Sequence, residues 1–247
     1  MWGSPIGPNA PRDGIWTRLS TAAVLAALAL LSVAPHVYYL TQVAFAAAVQ
    51  ESFGPLGTGR VVRADLLALG TVVLMCSLMG ALFAERYGLA GLGDRASLRR
   101  GWWLFALAAP AIGIASYLLF GRELAERVPG FYPGSLPWAG LRAVKGALFD
   151  EVVARFGMMT ILCGVVRRPW AANVLQAAFF TVLGLIGLPF FGLHPVPSAY
   201  FAAAVIASLA VHLFLGAVYA RLGLLAAVAC HLGIGSKYVL HALVGGG

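Results

Sequence analysis

Residues 144–166 read VKGALFDEVVARFGMMTILCGVV, an apolar run that contains two adjacent acids, Asp150 and Glu151, and an arginine, Arg155. The run is about as long as the roughly 20 residues that a transmembrane helix needs. A charge near the centre of a bilayer costs roughly 2.5–3.5 kcal/mol on insertion scales, and intramembrane ionisable groups usually serve function. Three such groups so close together therefore mark this run as the candidate functional site.

The rest of the chain is equally apolar. Of its 247 residues 61% are hydrophobic and 11% are charged, and the mean hydropathy is +0.87. Soluble domains typically contain about 25% charged residues. Because the apolar excess is spread along the whole chain, we predict an all-α, polytopic membrane helical bundle rather than a soluble domain with one anchor.

Seven apolar segments predict seven transmembrane helices, and an additional interfacial helix over residues 136–145 would make eight. The segments cover residues 19–40, 62–84, 101–120, 144–166, 171–190, 198–220 and 222–244. We divide the chain into N-terminal transmembrane helices with a capping loop, residues 1–143, and a C-terminal core, residues 144–247, which contains the acid pair.

The net charge of +8 comes from 17 basic residues, mostly arginine, against nine acids. These basic residues flank apolar runs, a pattern typical of cytoplasmic loops that contact lipid head groups. No basic stripe on a soluble domain points to nucleic acid. Counting basic loop residues favours an N-terminus on the inner side. The richness in arginine, alanine and glycine suggests a bacterial inner membrane.

The acid pair allows two interpretations. Glu151 and Arg155 are spaced i, i+4, so they share a helix face and can form an ion pair. Asp150 points about 100° away in the same turn. A buried ion pair that only locks helix packing is possible, although such pairs contribute little stability. A carboxyl group that accepts and returns protons is the functional interpretation, and it also gives Asp150 a role.

Two histidines are candidate partners for the acids. His194 precedes Pro195, which disfavours helix, so it should lie at a helix end or a break, where it would line a cavity or belong to a surface loop. His231 lies within an apolar run and could equally be a core histidine. The other three histidines are expected to serve packing or interfaces: His36, His212 and His241.

Several well-known motifs are missing from the sequence. It contains no HExxH, GxSxG, GxxxxGK[ST] or GxGxxG, so zincin, serine-hydrolase and nucleotide chemistry have no support. The three cysteines lie in separate apolar runs without a CxxC spacing. We expect them to be buried free thiols.

The order of the remaining motifs resembles the CAAX-protease and bacteriocin-processing (CPBP, or Abi) family of intramembrane proteases. The family motif Glu-Glu-x-x-x-Arg corresponds to Asp150, Glu151 and Arg155, and Phe-x-x-x-His corresponds to Phe190 and His194. The third motif, His-x-x-x-Asn, is matched at His231 alone. The resemblance covers about residues 144–244.

Two departures from the family pattern affect the expected chemistry. Asp150 stands where the family has the glutamate that usually acts as base, so both Asp150 and Glu151 stay candidates. Gly235 replaces the asparagine that in the family helps to stabilise the oxyanion. Ser236 or Tyr238 could take over that role, and Tyr238 is spaced i+7 from His231, on the same helix face.

The resemblance implies an intramembrane endopeptidase that hydrolyses a peptide bond in a membrane-tethered or membrane-spanning substrate. It implies a water activated by the acids and His194, an oxyanion steadied by His231, and an Arg155 that fixes Glu151. Zn²⁺ held by Glu151, His194 and His231 is possible. The alternatives are a catalytically degenerate scaffold of the same fold or a transporter-type membrane protein. Expected partners are membrane lipid and a membrane-anchored protein or peptide.

Overall fold

The fold is known from a computed structural model, which describes residues 14–41, 46–127, 131–187 and 198–245. These ranges are helical almost throughout, and no strand occurs within them. The all-α architecture predicted from the sequence is confirmed for this part of the chain.

Six α-helices precede the acid pair. They are α1 (Ile15–Tyr39), α2 (Ala46–Phe83), α3 (Arg95–Arg100), α4 (Ala109–Ser116), α5 (Arg122–Arg127) and α6 (Leu136–Lys145). Two wide π-helical turns, Leu104–Ala108 and Tyr117–Gly121, flank α4. Together with α4 these turns form one continuous helical rod.

The C-terminal half surrounds the acid pair. After α6 follow two π-helical stretches, Gly146–Asp150 and Val152–Met159, and then α7 (Thr160–Val166). The remaining helices are α8 (Pro169–Gly187), α9 (Ser198–Leu222), α10 (Leu224–Ile234) and α11 (Ser236–Val244). Helix α10 lies centrally, in contact with α4, α9 and Gly146–Asp150.

Within the described residues, five helical stretches are long and apolar enough to cross a membrane. They are Ile15–Tyr39, Gly59–Phe83, Leu104–Gly121, Phe201–Leu222 and Leu224–Val244. The predicted segment 144–166 is divided among shorter elements around its charges, and segment 171–190 runs beyond the described residues. A count of seven or eight spans therefore stays a prediction.

Two glycines let α2 pack closely against the segment that carries the acids. A β-carbon at Gly80 of α2 would overlap the ring of Phe156, and one at Gly157 would overlap Cys76. Small residues that let helix backbones approach closely are typical of membrane bundles. This contact holds Val152–Met159 in place on one side.

Cys163 and Cys230 are buried free thiols, as expected, and Cys76 is half-buried.

An arginine closes the end of α2. Arg18 of α1 donates from Nη1 to the carbonyls of Ala81 (3.0 Å) and Leu82 (3.3 Å), and from Nη2 to Glu85 Oε2 (2.8 Å). The last carbonyls of a helix have no partner within the helix, and a cation is favourable at that end. Arg18 therefore joins α1 to α2 by satisfying groups that the helix itself leaves unbonded.

A glycine-rich loop prepares the start of α10. The first amides of α10, those of Leu224 and Leu225, donate to the carbonyls of Gly91 (2.9 Å) and Leu92 (3.0 Å). Gly93 and Gly223 both have positive φ, +80° and +91°, where their backbones meet. The loop thus anchors the helix that carries His231.

Candidate functional site

Glu151 lies at the junction of the two π-helical stretches and is fully buried. Its Oε1 lies 3.1 Å from Arg155 Nη1, and Arg155 is fully buried as well. The ion pair predicted from the i, i+4 spacing is confirmed. A wide turn on each side of an acid is typical of functional sites, because such turns change the direction in which neighbouring side chains point.

The third group of this pair comes from α10. His231 Nδ1 donates to Glu151 Oε1 at 2.7 Å, across 80 residues of sequence. The carboxylate thereby holds the imidazole in the tautomer with its proton on Nδ1, and the lone pair is left on Nε2. The His231 side chain is 20% exposed, whereas Glu151 is 0% exposed. His231 is therefore the accessible member of the pair.

The buried ion pair is incompletely hydrogen-bonded. Among the described residues, the buried atoms Glu151 Oε2 and Arg155 Nε have no hydrogen-bond partner, and Arg155 Nη1 contacts Glu151 as an ion pair without a hydrogen bond. Buried polar atoms in native proteins are almost always paired with protein or with water. A site with three atoms without a hydrogen bond on two buried charges is consistent with hydrogen bonding to water or to a bound molecule.

Arg155 also contacts a histidine that the sequence had assigned to packing. Its Nη2 donates to His212 Nδ1 of α9 at 2.9 Å, while the His212 ring stacks on Phe180, with 6.0 Å between centroids. A guanidinium can only donate, so His212 must be neutral with its proton on Nε2. The packing role expected for His212 was therefore incomplete. Arg155 also fixes the tautomer of His212, which leaves Nε2 as its hydrogen-bond donor.

Asp150 lies on the more open side of the site. Its Oδ1 accepts a hydrogen bond from Lys145 Nζ at 2.7 Å, and its side chain is 35% exposed. The adjacent acids therefore have different environments. Glu151 is buried between Arg155 and His231, and Asp150 is held by a lysine one turn earlier.

His231 and Asp150 both approach Gly146 on the side where a larger residue would carry its side chain. A β-carbon placed on Gly146 would lie 3.0 Å from His231 Nε2 and 3.6 Å from Asp150 Oδ2. Both the imidazole lone pair and the second carboxylate oxygen thus face the same position. A water bound beside Gly146, between these two acceptors, would be polarised by both.

The position of Gly235 is closed to any side chain. A β-carbon there would lie 2.7 Å from that of Ala143, because α6 packs directly against the turn between α10 and α11. Ser236 Oγ is buried without a partner near Gly113, and Tyr238 packs against Phe131 and Tyr132. An asparagine at 235 would not fit this packing.

The remaining sequence-derived candidates lie elsewhere. Phe190 and His194 fall outside the described residues. His36 Nε2 accepts a hydrogen bond from Arg142 Nη1 at 2.6 Å, and His241 packs against Tyr117 and Tyr132. The packing role expected for His241 is confirmed, whereas His36 belongs to a charged cluster beside Asp150.

The Zn²⁺ site stays a prediction, because one of its three expected ligands, His194, lies outside the described residues. Glu151 Oε1 already accepts from His231 Nδ1, and the positive charge of Arg155 lies 3.1 Å from the same oxygen. A guanidinium in that place would repel the metal ion. Across the described ranges no three His, Cys, Asp or Glu side chains are grouped to hold a metal.

Comparisons with family models, with curated proteins and with solved structures find no match for this chain.

Proposed function

We propose that this chain is an intramembrane endopeptidase that hydrolyses a peptide bond with a water bound beside Gly146. The observation that carries the proposal is that His231 Nε2 and Asp150 Oδ2 both approach the same side of Gly146. The order of the acid, arginine and histidine motifs, which resembles the CPBP proteases, supports the same reaction.

Each residue has a distinct part in the proposed reaction. His231 Nε2 takes a proton from the water, and the hydroxide oxygen forms a bond to the scissile carbonyl carbon. Glu151 stabilises the imidazolium that results, as the buried carboxylate does in a catalytic triad. Asp150 Oδ2 orients the water, while Lys145 neutralises Asp150 and makes it the weaker base. When the carbon–nitrogen bond breaks, His231 returns the proton to the leaving amine.

We assign the oxyanion donor to His212 rather than to position 235. Gly235 is closed by Ala143, whereas His212 is held by Arg155 with its proton on Nε2. Among the described residues no hydrogen-bond partner contacts that nitrogen. A neutral, oriented imidazole can stabilise developing negative charge without gaining a proton. Zn²⁺ stays a prediction from the resemblance, and no step above depends on it.

Matched histidine and aspartate variants test the proposal. The full chain, reconstituted in phosphatidylcholine vesicles, is incubated with synthetic peptides that each carry one apolar segment of about 20 residues, and new termini are identified by mass spectrometry. We expect His231→Gln to lower cleavage by about 10²–10⁴-fold, the usual contribution of a general base. His241→Gln, in the neighbouring helix, should retain wild-type cleavage.

Asp150→Asn and Asp94→Asn form the second pair, and we expect cleavage to fall in the first alone. If the folded wild type leaves every peptide intact, the protease proposal is wrong, and a scaffold of the same fold becomes the better interpretation.

A further inference from the structure

Three cations gather next to the site with little negative charge to balance them. Arg142 and Lys145 are one turn apart on α6. Lys237 lies in the first turn of α11, the second of the two helices that form the last membrane span. Like charges at this spacing repel each other, and the repulsion is stronger away from water.

The Arg142 guanidinium is held in a fixed orientation. Its central carbon lies 5.2 Å from the Phe131 ring centroid and 5.3 Å from that of Tyr238, and Nη1 donates to His36 at 2.6 Å. Its Nε is buried and has no hydrogen-bond partner in the part of the chain that the structure describes. A planar guanidinium fixed between aromatic rings, with a donor unused, is well suited to bind a carboxylate.

Lys237 approaches the same ring. Its Nζ lies 5.2 Å from the Tyr238 centroid, so Arg142 and Lys237 place two positive charges around one aromatic side chain. In the described part of the chain no acid contacts either of them. Lys145 has a counter-charge, Asp150, so the cluster carries two positive charges more than negative ones.

The cation cluster is continuous with the proposed site. Lys145 Nζ binds Asp150 Oδ1, and Asp150 Oδ2 lies beside Gly146. An anion bound by Arg142 and Lys237 would therefore lie beside the bound water. A lipid head group at the bundle periphery would not need to be so close to these groups.

We propose that Arg142, Lys145 and Lys237 form a carboxylate-binding site that recognises the substrate next to its scissile bond. This inference rests on the proposed function, since it assigns the substrate class of the same site. The carboxylate is either an acidic side chain or the free C-terminus of the peptide, because both present the same group to the cations.

Three forms of one membrane-spanning peptide separate these sources. The first has an Asp beside the cleavage position and an amidated terminus, the second has a free terminus and no Asp, and the third has neither. We expect wild type to cleave one of the carboxylate forms with a kcat/KM about tenfold or more above that of the third, mainly through a lower KM.

Lys237→Gln should reduce that preference to about the level of the uncharged peptide, and Arg99→Gln, an exposed arginine of α3, should leave it intact. Arg142→Gln is the second cluster variant, although it also removes the contact with His36. An equal rate on all three peptides, or a preference that survives both cluster variants, would overturn the proposal. If adding phosphatidylglycerol to the vesicles changes cleavage by wild type but not by the cluster variants, and peptide preference is the same in all of them, the cluster binds lipid and the proposal is wrong.

A binding arm distinguishes this proposal from the protease itself. Fluorescent versions of the three peptides are titrated against vesicles that contain the His231→Gln variant, which should bind without cleaving. Tighter binding of a carboxylate form, lost in the His231→Gln, Lys237→Gln double variant, supports the site even if wild type cleaves nothing. Equal binding of all three forms contradicts it.

Discussion

The molecule contains two arginine–glutamate pairs of opposite character. Arg18–Glu85 lies at the end of α2, where the arginine also donates to two backbone carbonyls and the glutamate is 44% exposed. Arg155–Glu151 is 0% exposed on both sides, and three of its polar atoms have no hydrogen-bond partner among the described residues. The first pair closes a helix end. The second pair places polar atoms inside the bundle that can still form hydrogen bonds. Burying such atoms is costly unless water or substrate binds to them.

The same substitution in the two glutamates should have very different effects. We expect Glu151→Gln to destabilise the fold by about 3–5 kcal/mol, because Arg155 would keep a buried charge without its counter-ion. Glu85→Gln should cost at most about 1 kcal/mol, since a largely exposed ion pair is weak. Thermal unfolding in detergent micelles compares the two variants with wild type. Similar losses of melting temperature would remove the distinction between the pairs.

The next prediction concerns the third partner of the buried pair. His212→Phe keeps a ring against Phe180 but removes the Nε2 donor and the acceptor for Arg155. We expect cleavage to fall by about 10²–10³-fold with little change in KM, the usual effect of losing an oxyanion donor. His241→Phe is the control, because His241 also packs against an aromatic ring, that of Tyr117. If both variants cleave equally, the oxyanion role of His212 is wrong.

The smallest expected effect concerns Asp94, which lines the same pocket as the Arg18–Glu85 pair. Asp94 caps α3 by accepting a 2.7 Å hydrogen bond from the Ser97 amide, and this bond holds the pKa of Asp94 below its ordinary value. A carboxyl group whose pKa is lowered by folding stabilises the fold above its unfolded pKa of about 3.9. That stabilisation is lost as the pH falls through the folded pKa.

Asp94→Ala should therefore melt slightly below wild type at neutral pH, and the difference should shrink under acid. Asp94→Asn keeps a good capping side chain and should show a smaller, pH-independent change. Melting curves of all three proteins between neutral and acidic pH test this. A constant difference between Asp94→Ala and wild type would contradict the assigned cause.

The helical membrane architecture and the Glu151–Arg155 pair could be predicted from the sequence. Apolar runs of sufficient length indicate spans, and an i, i+4 spacing is a local property of one helix. The outcome at residues 144–166 was harder to predict, because the charges are accommodated by wide turns rather than by one regular helix.

The resemblance had grouped His231 with the acids, but the contact between His212 and Arg155 had no signal in the sequence. His212 lies 57 residues from Arg155, and nothing in an apolar run distinguishes a histidine that binds an arginine from one that only packs. Gly146 offered a weak signal, as a glycine one turn before Asp150. Its meaning depends on His231, which approaches it from another helix.

One comparison of glycine variants tests the water site beside Gly146 most directly. Gly146→Ala puts a methyl group 3.0 Å from His231 Nε2, where the water would bind, whereas a β-carbon at Gly140 of α6 meets nothing within 4 Å. Cleavage of the membrane-spanning peptides is measured for both variants, with melting temperatures to confirm folding. We expect Gly146→Ala to be folded and inactive and Gly140→Ala to cleave like wild type. A folded Gly146→Ala variant with wild-type cleavage would show that the hydrolytic water is not bound there.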